Sequence, residues 1–236
     1  MGALSEHCAS QAALSWLRNW LPSGCGVAAC PISDRAASAF AAEEQLIAGS
    51  VRQRRNAFRA GRAVARQALA QLGCAPAAIL AHPQRDPIWP PGFLGSITHS
   101  ERIALAIAAP RELIQAVGVD LEDDLQLDPR LVSMVCRADE RQQQAQLAQL
   151  GIDHAKLCFV AKEAVFKAIF PRQRSALEFG QIRLSFQVPE RSFSAALRSD
   201  PGGQFTPLPG VGRFLCEPQL LAAALVVPQP VFRPRS

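Results

Sequence analysis

The sequence predicts an α+β protein, because helix-like and strand-like segments are mixed along its 236 residues without regular βαβ alternation. Three observations carry this reading. An Ala-, Glu-, Gln- and Arg-rich segment covers 36–73, two apolar runs flank residue 100, and the C-terminal third alternates as strands do. The chain is 49% apolar and 19% charged, a globular balance that excludes a disordered one.

Taken in order, residues 36–73 are expected to be helical and to stop at Gly73. The Pro-rich segment His82–Gly92 must be loop. Ser96–Thr98 and Ile103–Ala108 are β-like, and Pro110-Arg-Glu112 is the joint between an N-terminal half, 1–110, and a C-terminal half, 111–236. Leu113–Glu122 reads as a strand. Asp128-Pro129 has the N-cap-then-proline form of a helix start. Ala138–Leu150 is expected to be helical, as is His154–Phe170, the latter ended by Pro171. Ile182–Val188, Ser192–Leu197 and Leu220–Val227 complete the strands, and the tail from Pro228 is expected to fray.

A net charge of +5 and a pI near 9.0 favour anionic partners. The seven cysteines form no C-x-x-C and have no histidine cluster with them, so neither a disulfide framework nor a zinc site is expected. A reducing cytoplasm is the simpler reading. Glu6, His7 and Arg18 interrupt the first apolar stretch, unlike a secretory signal, and Ile103–Ala109 and Leu220–Val227 are too short to span a bilayer.

Four motifs can do chemistry. In Gly118-Val-Asp120-Leu-Glu122, strand alternation points Asp120 and Glu122 one way and Val119 and Leu121 into a core. Two adjacent carboxylates suit a hard divalent cation; the alternative is a solvated acidic strand end. In the helical segment Phe159–Lys167, residues Phe159, Lys162, Glu163, Phe166 and Lys167 share one broad face. Glu163 would add a third carboxylate and the lysines positive charge for phosphates; the alternative is a surface Glu163–Lys167 pair. Thr98-His99 closes a short strand, where a hydroxyl beside an imidazole can bind a phosphate oxygen; the alternative is a turn histidine satisfied by backbone. Arg52, Arg55, Arg59, Arg62 and Arg66 follow helical spacing and form a basic stripe opposite Phe58, Ala65 and Leu69, with Glu43 and Glu44 placed to neutralise part of it. The stripe suits an anionic ligand or partner, against a merely solvated face.

In succession, Arg55…Phe58…Gly61-Arg62…Arg66, Pro87-Ile-Trp89-Pro-Pro-Gly-Phe-Leu-Gly95-Ser-Ile-Thr98-His99, Gly118–Glu122 and Lys162-Glu-Ala-Val-Phe-Lys167 resemble the 4′-phosphopantetheinyl transferases, most of all the enterobactin synthetase component D type. The resemblance spans about residues 50–170. It implies a pseudo-dimer of two similar α+β halves with coenzyme A in the cleft between them. It implies Mg²⁺ (Mn²⁺ also suits oxygen ligands) held by Asp120, Glu122 and Glu163. Lys162 or Lys167 with Thr98 and His99 would contact coenzyme A phosphates, and Arg55, Arg62 and the loop around Arg85 would bind the adenine-nucleotide end. Glu163 and Lys167 are the implied catalytic pair, and a serine of an acidic acyl or peptidyl carrier protein is the implied acceptor. Phe159 and Thr98 stand where the family often has tryptophan and serine. The expected state is a cytoplasmic monomer with no nucleic acid and no stable membrane association. The rival readings are a basic nucleic-acid or nucleotide-binding module and a metal-dependent phosphoesterase using the same carboxylates.

Overall fold

The computed structural model describes residues 2–32, 37–38, 40–123, 126–174, 177–200 and 202–230. Helices α1 (Gly2–Arg18), α2 (Ala41–Gln45) and α3 (Arg52–Ala70) accompany strands β1 (Gly26–Pro31), β2 (Phe93–His99) and β3 (Ile103–Pro110). After a short turn come β4 (Ile114–Glu122), α4 (Pro129–Val135), a 3₁₀ segment at Ala138–Gln143, α5 (Gln144–Gln149) and α6 (His154–Gln173). The remaining strands are β5 (Ile182–Gln187), β6 (Ser192–Leu197), β7 (Thr206–Pro207), β8 (Val211–Glu217) and β9 (Leu220–Pro228).

The strands form two antiparallel sheets, β1-β3-β2 and β4-β9-β8-β6-β5, with β7 added to β6. Each half is built alike. A first strand (β1, β4) is followed by a long helix (α3, α6) and pairs with the strand that closes the half (β3, β9). Alternation along β3 sends Ile103, Leu105 and Ile107 into a central core with Val117, Val119 and Leu121 of β4 and Leu17 of α1. Its other face, Ala104, Ala106 and Ala108, is small because Ala60, Val64 and Ala68 of α3 press on it.

The same close approach explains two glycines. A Cβ on Gly26 would lie 2.0 Å from the Ala68 carbonyl oxygen of α3, and one on Gly118 1.9 Å from that of Ala164 on α6. A second device also recurs. Glu43, before α3, accepts from Arg66 Nη1 (2.5 Å, 23 residues on) and from the Ile79 amide (2.8 Å). Glu140, before α6, accepts from Lys162 Nζ (2.8 Å, 22 residues on) and from the Leu184 amide (2.7 Å). In both, a buried glutamate ties the long helix to the segment that follows it.

Several expected boundaries move. The segment 36–73 is two helices, broken by the turn before Val51, and its residues 36 and 39 lie outside the described ones. Phe58 is half-buried under the Arg62 guanidinium rather than in the core. Ala138–Leu150 begins as 3₁₀ and becomes α-helix at Gln144. Helix α6 runs through Pro171, since a proline in the last turn removes a single N–H, and it closes at Arg174 in the left-handed region (φ 55°). Asp128 caps α4 as expected, accepting from the Arg130 amide. Helix α1 and strands β1, β7 and β8 were not anticipated from the sequence. The end of the tail, 231–236, lies outside the described residues. Among the described residues no helix is long and apolar enough to cross a membrane.

Candidate active site

Strand β4 alternates as its sequence requires. Val119 and Leu121 are fully buried in the central core, while Gly118, Asp120 and Glu122 face α6. Across a seam, β2 lies against β4, held by the Val119 amide donating to Ser96 Oγ at 3.0 Å. Thr98, two residues on and on the same face of β2, donates from Oγ1 to Asp120 Oδ1 at 2.9 Å. Lys167 of α6 reaches both, donating to Asp120 Oδ1 at 2.6 Å and Thr98 Oγ1 at 3.2 Å. Asp120 is 5% exposed, and its second oxygen, Oδ2, is buried without a hydrogen-bond partner.

Glu163, one helical turn before Lys167, is half-buried beside this cluster. Burial and then the Asp120 charge push its carboxyl above the usual range; Lys167 opposes this and Glu122 adds to it. Three carboxylates therefore influence one another, and one buried oxygen of Asp120 has no partner. That donor set fits a hard divalent cation. The three are not gathered on one point, however. Lys156 Nζ donates to Glu122 at 2.9 Å, and one oxygen from each of the three does not come within 4.8 Å of the others.

Two cavities flank the cluster. One, of about 270 Å³, lies between the halves, lined by Arg85, Trp89 and Ser96 from the first and Phe166, Lys167 and Phe170 from the second. Arg85 sits exposed in a left-handed turn (φ 74°), and Arg174 anchors its loop to α6 by donating to Asp86 at 2.6 Å. The other, of about 610 Å³, is lined by Glu163, Phe166, Met134, Leu177 and Phe179. Phe166 and Phe170 stack at 4.9 Å between ring centres. His99 is exposed at the end of β2; the protein around its ring, then the Lys167 ammonium, holds the imidazole below its ordinary range. Arg55 is half-buried at the start of α3, donating to the Ser50 carbonyl at 2.9 Å.

Two expectations for site residues are corrected. Lys162 does not face the phosphates: it is fully buried, donating to Glu140 and to the Val135 and Phe179 carbonyls. Arg62 also turns inward, 6% exposed, with Nε donating to the Ile79 carbonyl at 2.7 Å; burial pulls its pKa down to about 10. Part of the basic stripe is neutralised as expected, Glu44 pairing with Arg59 at 2.7 Å and Glu43 with Arg66. Phe159 is half-buried and packs against Phe179, while small residues, Ala164 and Ala168, meet β4 at Gly118. A third correction concerns the cysteines: Cys136, His154 and Cys158 meet in the interior of the second half. The signal was present, because His154 and Cys158 are four apart on one helix. Lys156 was also missed, although it lies seven residues before Glu163 on the same helix face.

Comparison with known proteins gives matches in both halves. Residues 42–109 match the family model of the 4′-phosphopantetheinyl transferase N-terminal domain, and residues 116–205 that of the 4′-phosphopantetheinyl transferase superfamily. The chain is 35% identical over 146 residues to the 4′-phosphopantetheinyl transferase PptT of Mycobacterium tuberculosis, covering 62% of this chain and 64% of that protein. It is 35% identical over 154 residues to the 4′-phosphopantetheinyl transferase Npt of Nocardia iowensis, covering 65% and 69%. Enterobactin synthase component D of Salmonella typhimurium is 34% identical over 124 residues, covering 51% and 50%. The match thus spans about two thirds of the first two relatives and half of the third.

Proposed function

The chain belongs to the 4′-phosphopantetheinyl transferase superfamily, and from that premise we propose that it moves 4′-phosphopantetheine from coenzyme A to a serine of an acyl or peptidyl carrier protein. The observation that carries this is the seam between β2 and β4. There the open Oδ2 of Asp120, the Lys167 ammonium and Glu163 meet beside a cavity shared by the two halves. In this reading Asp120, Glu122 and Glu163 would hold Mg²⁺, with Glu122 now paired with Lys156. When bound, Mg²⁺ supplies charge neutralisation for the pyrophosphate of coenzyme A.

The chain's own groups account for the rest. Lys167, oriented by Thr98 and Asp120, donates to phosphate oxygens as charge develops on them. Arg85 meets the nucleotide end from the loop above, with Arg55 and His99 as further contacts. Glu163 takes the proton from the carrier serine. The serine oxygen bonds to the β-phosphorus of coenzyme A, the bond from that phosphorus to the bridging oxygen breaks, and 3′,5′-ADP leaves with the electron pair. The apolar wall of Met134, Leu177 and Phe179 beside Glu163 would receive the incoming carrier, whose acidic surface the +5 net charge attracts. The enzyme would work as a monomer in the cytoplasm, without nucleic acid or membrane.

The test is transfer of radiolabel from the pantetheine arm of coenzyme A to an apo carrier protein. Label on the carrier serine, lost with EDTA and restored by Mg²⁺, is the expected result. Metal-dependent cleavage of coenzyme A with no labelled carrier would favour the phosphoesterase reading. Tight duplex binding with neither reaction would favour the binding module.

A further inference from the structure

Away from the seam, the second half contains a cluster of another chemistry. Cys136 closes α4, while His154 and Cys158 lie on the first turns of α6. All three are buried, at 3%, 5% and 0% exposure, and one ligand atom of each lies within 4.8 Å of the others. Among the described residues they are the one His, Cys, Asp or Glu group to converge so closely. We infer that Cys136, His154 and Cys158 form a binding site for a thiophilic d¹⁰ cation, Zn²⁺ in the ordinary case.

The geometry supports this. Cys158 Sγ and His154 Nε2 are 3.5 Å apart. In a tetrahedral zinc centre with Zn–S near ~2.3 Å and Zn–N near ~2.05 Å, the S···N edge is about 3.5 Å. Two thiolates and an imidazole are the donor set that thiophilic metals prefer over Mg²⁺. Access is provided, because a cavity of about 590 Å³ is lined by both Cys136 and His154 along with Arg141, Gln144 and Asp153. A fourth ligand can enter from there. The nearby Lys162 charge is already neutralised by Glu140. His154 Nε2 now lies 3.0 Å from the Glu140 carbonyl oxygen. Metal binding through that nitrogen replaces this contact, shifts the ring proton to Nδ1 and releases the two thiol protons to water. His154 and Cys158 lie nine and five residues before Glu163 on α6, roughly 13 and 7 Å along the helix, and both are buried in the interior of the second half rather than at the seam. The consequence of binding is mechanical: an ion at this site joins the end of α4 to the start of the helix that carries Glu163 and Lys167.

The full chain, freshly reduced and metal-free, is titrated with Co²⁺ as a visible substitute for Zn²⁺. The expected result is thiolate-to-cobalt charge-transfer absorption saturating at one equivalent, abolished by added Zn²⁺, with the unfolding midpoint raised by Zn²⁺. Cys136→Ala and Cys158→Ala should each weaken binding by more than the ~10–100-fold typical of outer-shell changes, whereas Cys8→Ala, at an exposed cysteine, should not. Circular dichroism of the metal-free variants checks folding. Should Cys158→Ala fail to fold, Cys136→Ala, which borders the cavity, decides alone. No charge-transfer band in the wild type, or an unchanged band in folded Cys136→Ala, overturns the inference. So does a Cys136–Cys158 disulfide forming in a protein that takes up no Co²⁺ when reduced.

Discussion

Glu43 and Asp120 are both carboxylates almost removed from water, at 0% and 5% exposure, yet their oxygens are treated differently. Glu43 accepts from Arg66 and the Ile79 amide on one oxygen and from Ser38 Oγ on the other. Its counterpart Glu140 is equally complete, with Lys162 and the Arg137 amide on one oxygen and the Leu184 amide on the other. Asp120 has Thr98 and Lys167 on one oxygen and nothing on the other. Leaving a buried acceptor unpaired costs about 1–3 kcal/mol, and more for a charged one. Both halves thus carry one fully answered buried glutamate, and the second half adds a buried carboxylate answered on one oxygen alone. Answered charge holds a helix in place. The unpartnered Asp120 Oδ2 sits where a cation and phosphates are expected.

The sharpest test of that contrast is Asp120→Ala. Transfer to the carrier should fall by roughly 10²–10³-fold or more, with the unfolding midpoint kept or raised, because a buried carboxylate with one unpartnered oxygen is removed. A large loss of midpoint would show Asp120 to be a structural acid like Glu43.

Lys162→Ala should act the opposite way. It strands Glu140 as an uncompensated buried charge and should cost about 3–5 kcal/mol in denaturant unfolding, with the replacement by Met less severe. The KM for coenzyme A of the folded fraction should hold. A raised KM with unchanged stability would restore the phosphate-binding role that the sequence suggested.

Gly118→Ala and Gly26→Ala compare the halves directly, since each methyl would meet a helix carbonyl at about the same distance. Each should lose about 1–3 kcal/mol through overpacking. Gly118→Ala should also lower kcat, because α6 carries Glu163 and Lys167. Equal kcat in the two variants would mean that the position of α6 does not govern the chemistry.

The smallest effect concerns Glu44, whose carboxyl Arg59 holds down at about 2. A depressed carboxylate contributes stability that is present above its ordinary value near 4.5 and is lost as pH falls toward 2. Glu44→Gln should therefore flatten the acid limb of the stability curve slightly and leave neutral pH almost untouched, the pair being partly solvated.

Much of this was legible beforehand for a local reason. The period of two in Gly118–Glu122 places Asp120 and Glu122 on one face whatever the fold, and the period of 3.6 places Glu163 and Lys167 together on α6. Less legible were residues at the margins of an apolar arc. Lys162 lies at one edge of the face shared by Phe159, Glu163, Phe166 and Lys167, and Arg62 at one edge of the basic stripe, so either could turn to solvent or inward. Helix α1 went unseen because Ala13, Leu14 and Leu17 pack chiefly on β1, itself not anticipated, and then on the distant strands β3 and β8.

The sequence by itself determined the α+β mixture, the faces of β4 and α6 and the family resemblance, because these depend on spacing between near neighbours. Only the tertiary structure decided which cations are buried, which carboxylate oxygen is left open and that two cysteines meet a histidine. Those outcomes depend on what another element brings into contact: Glu140 reaching Lys162, Thr98 and Lys167 sharing a single oxygen of Asp120, and the end of α4 meeting the first turns of α6.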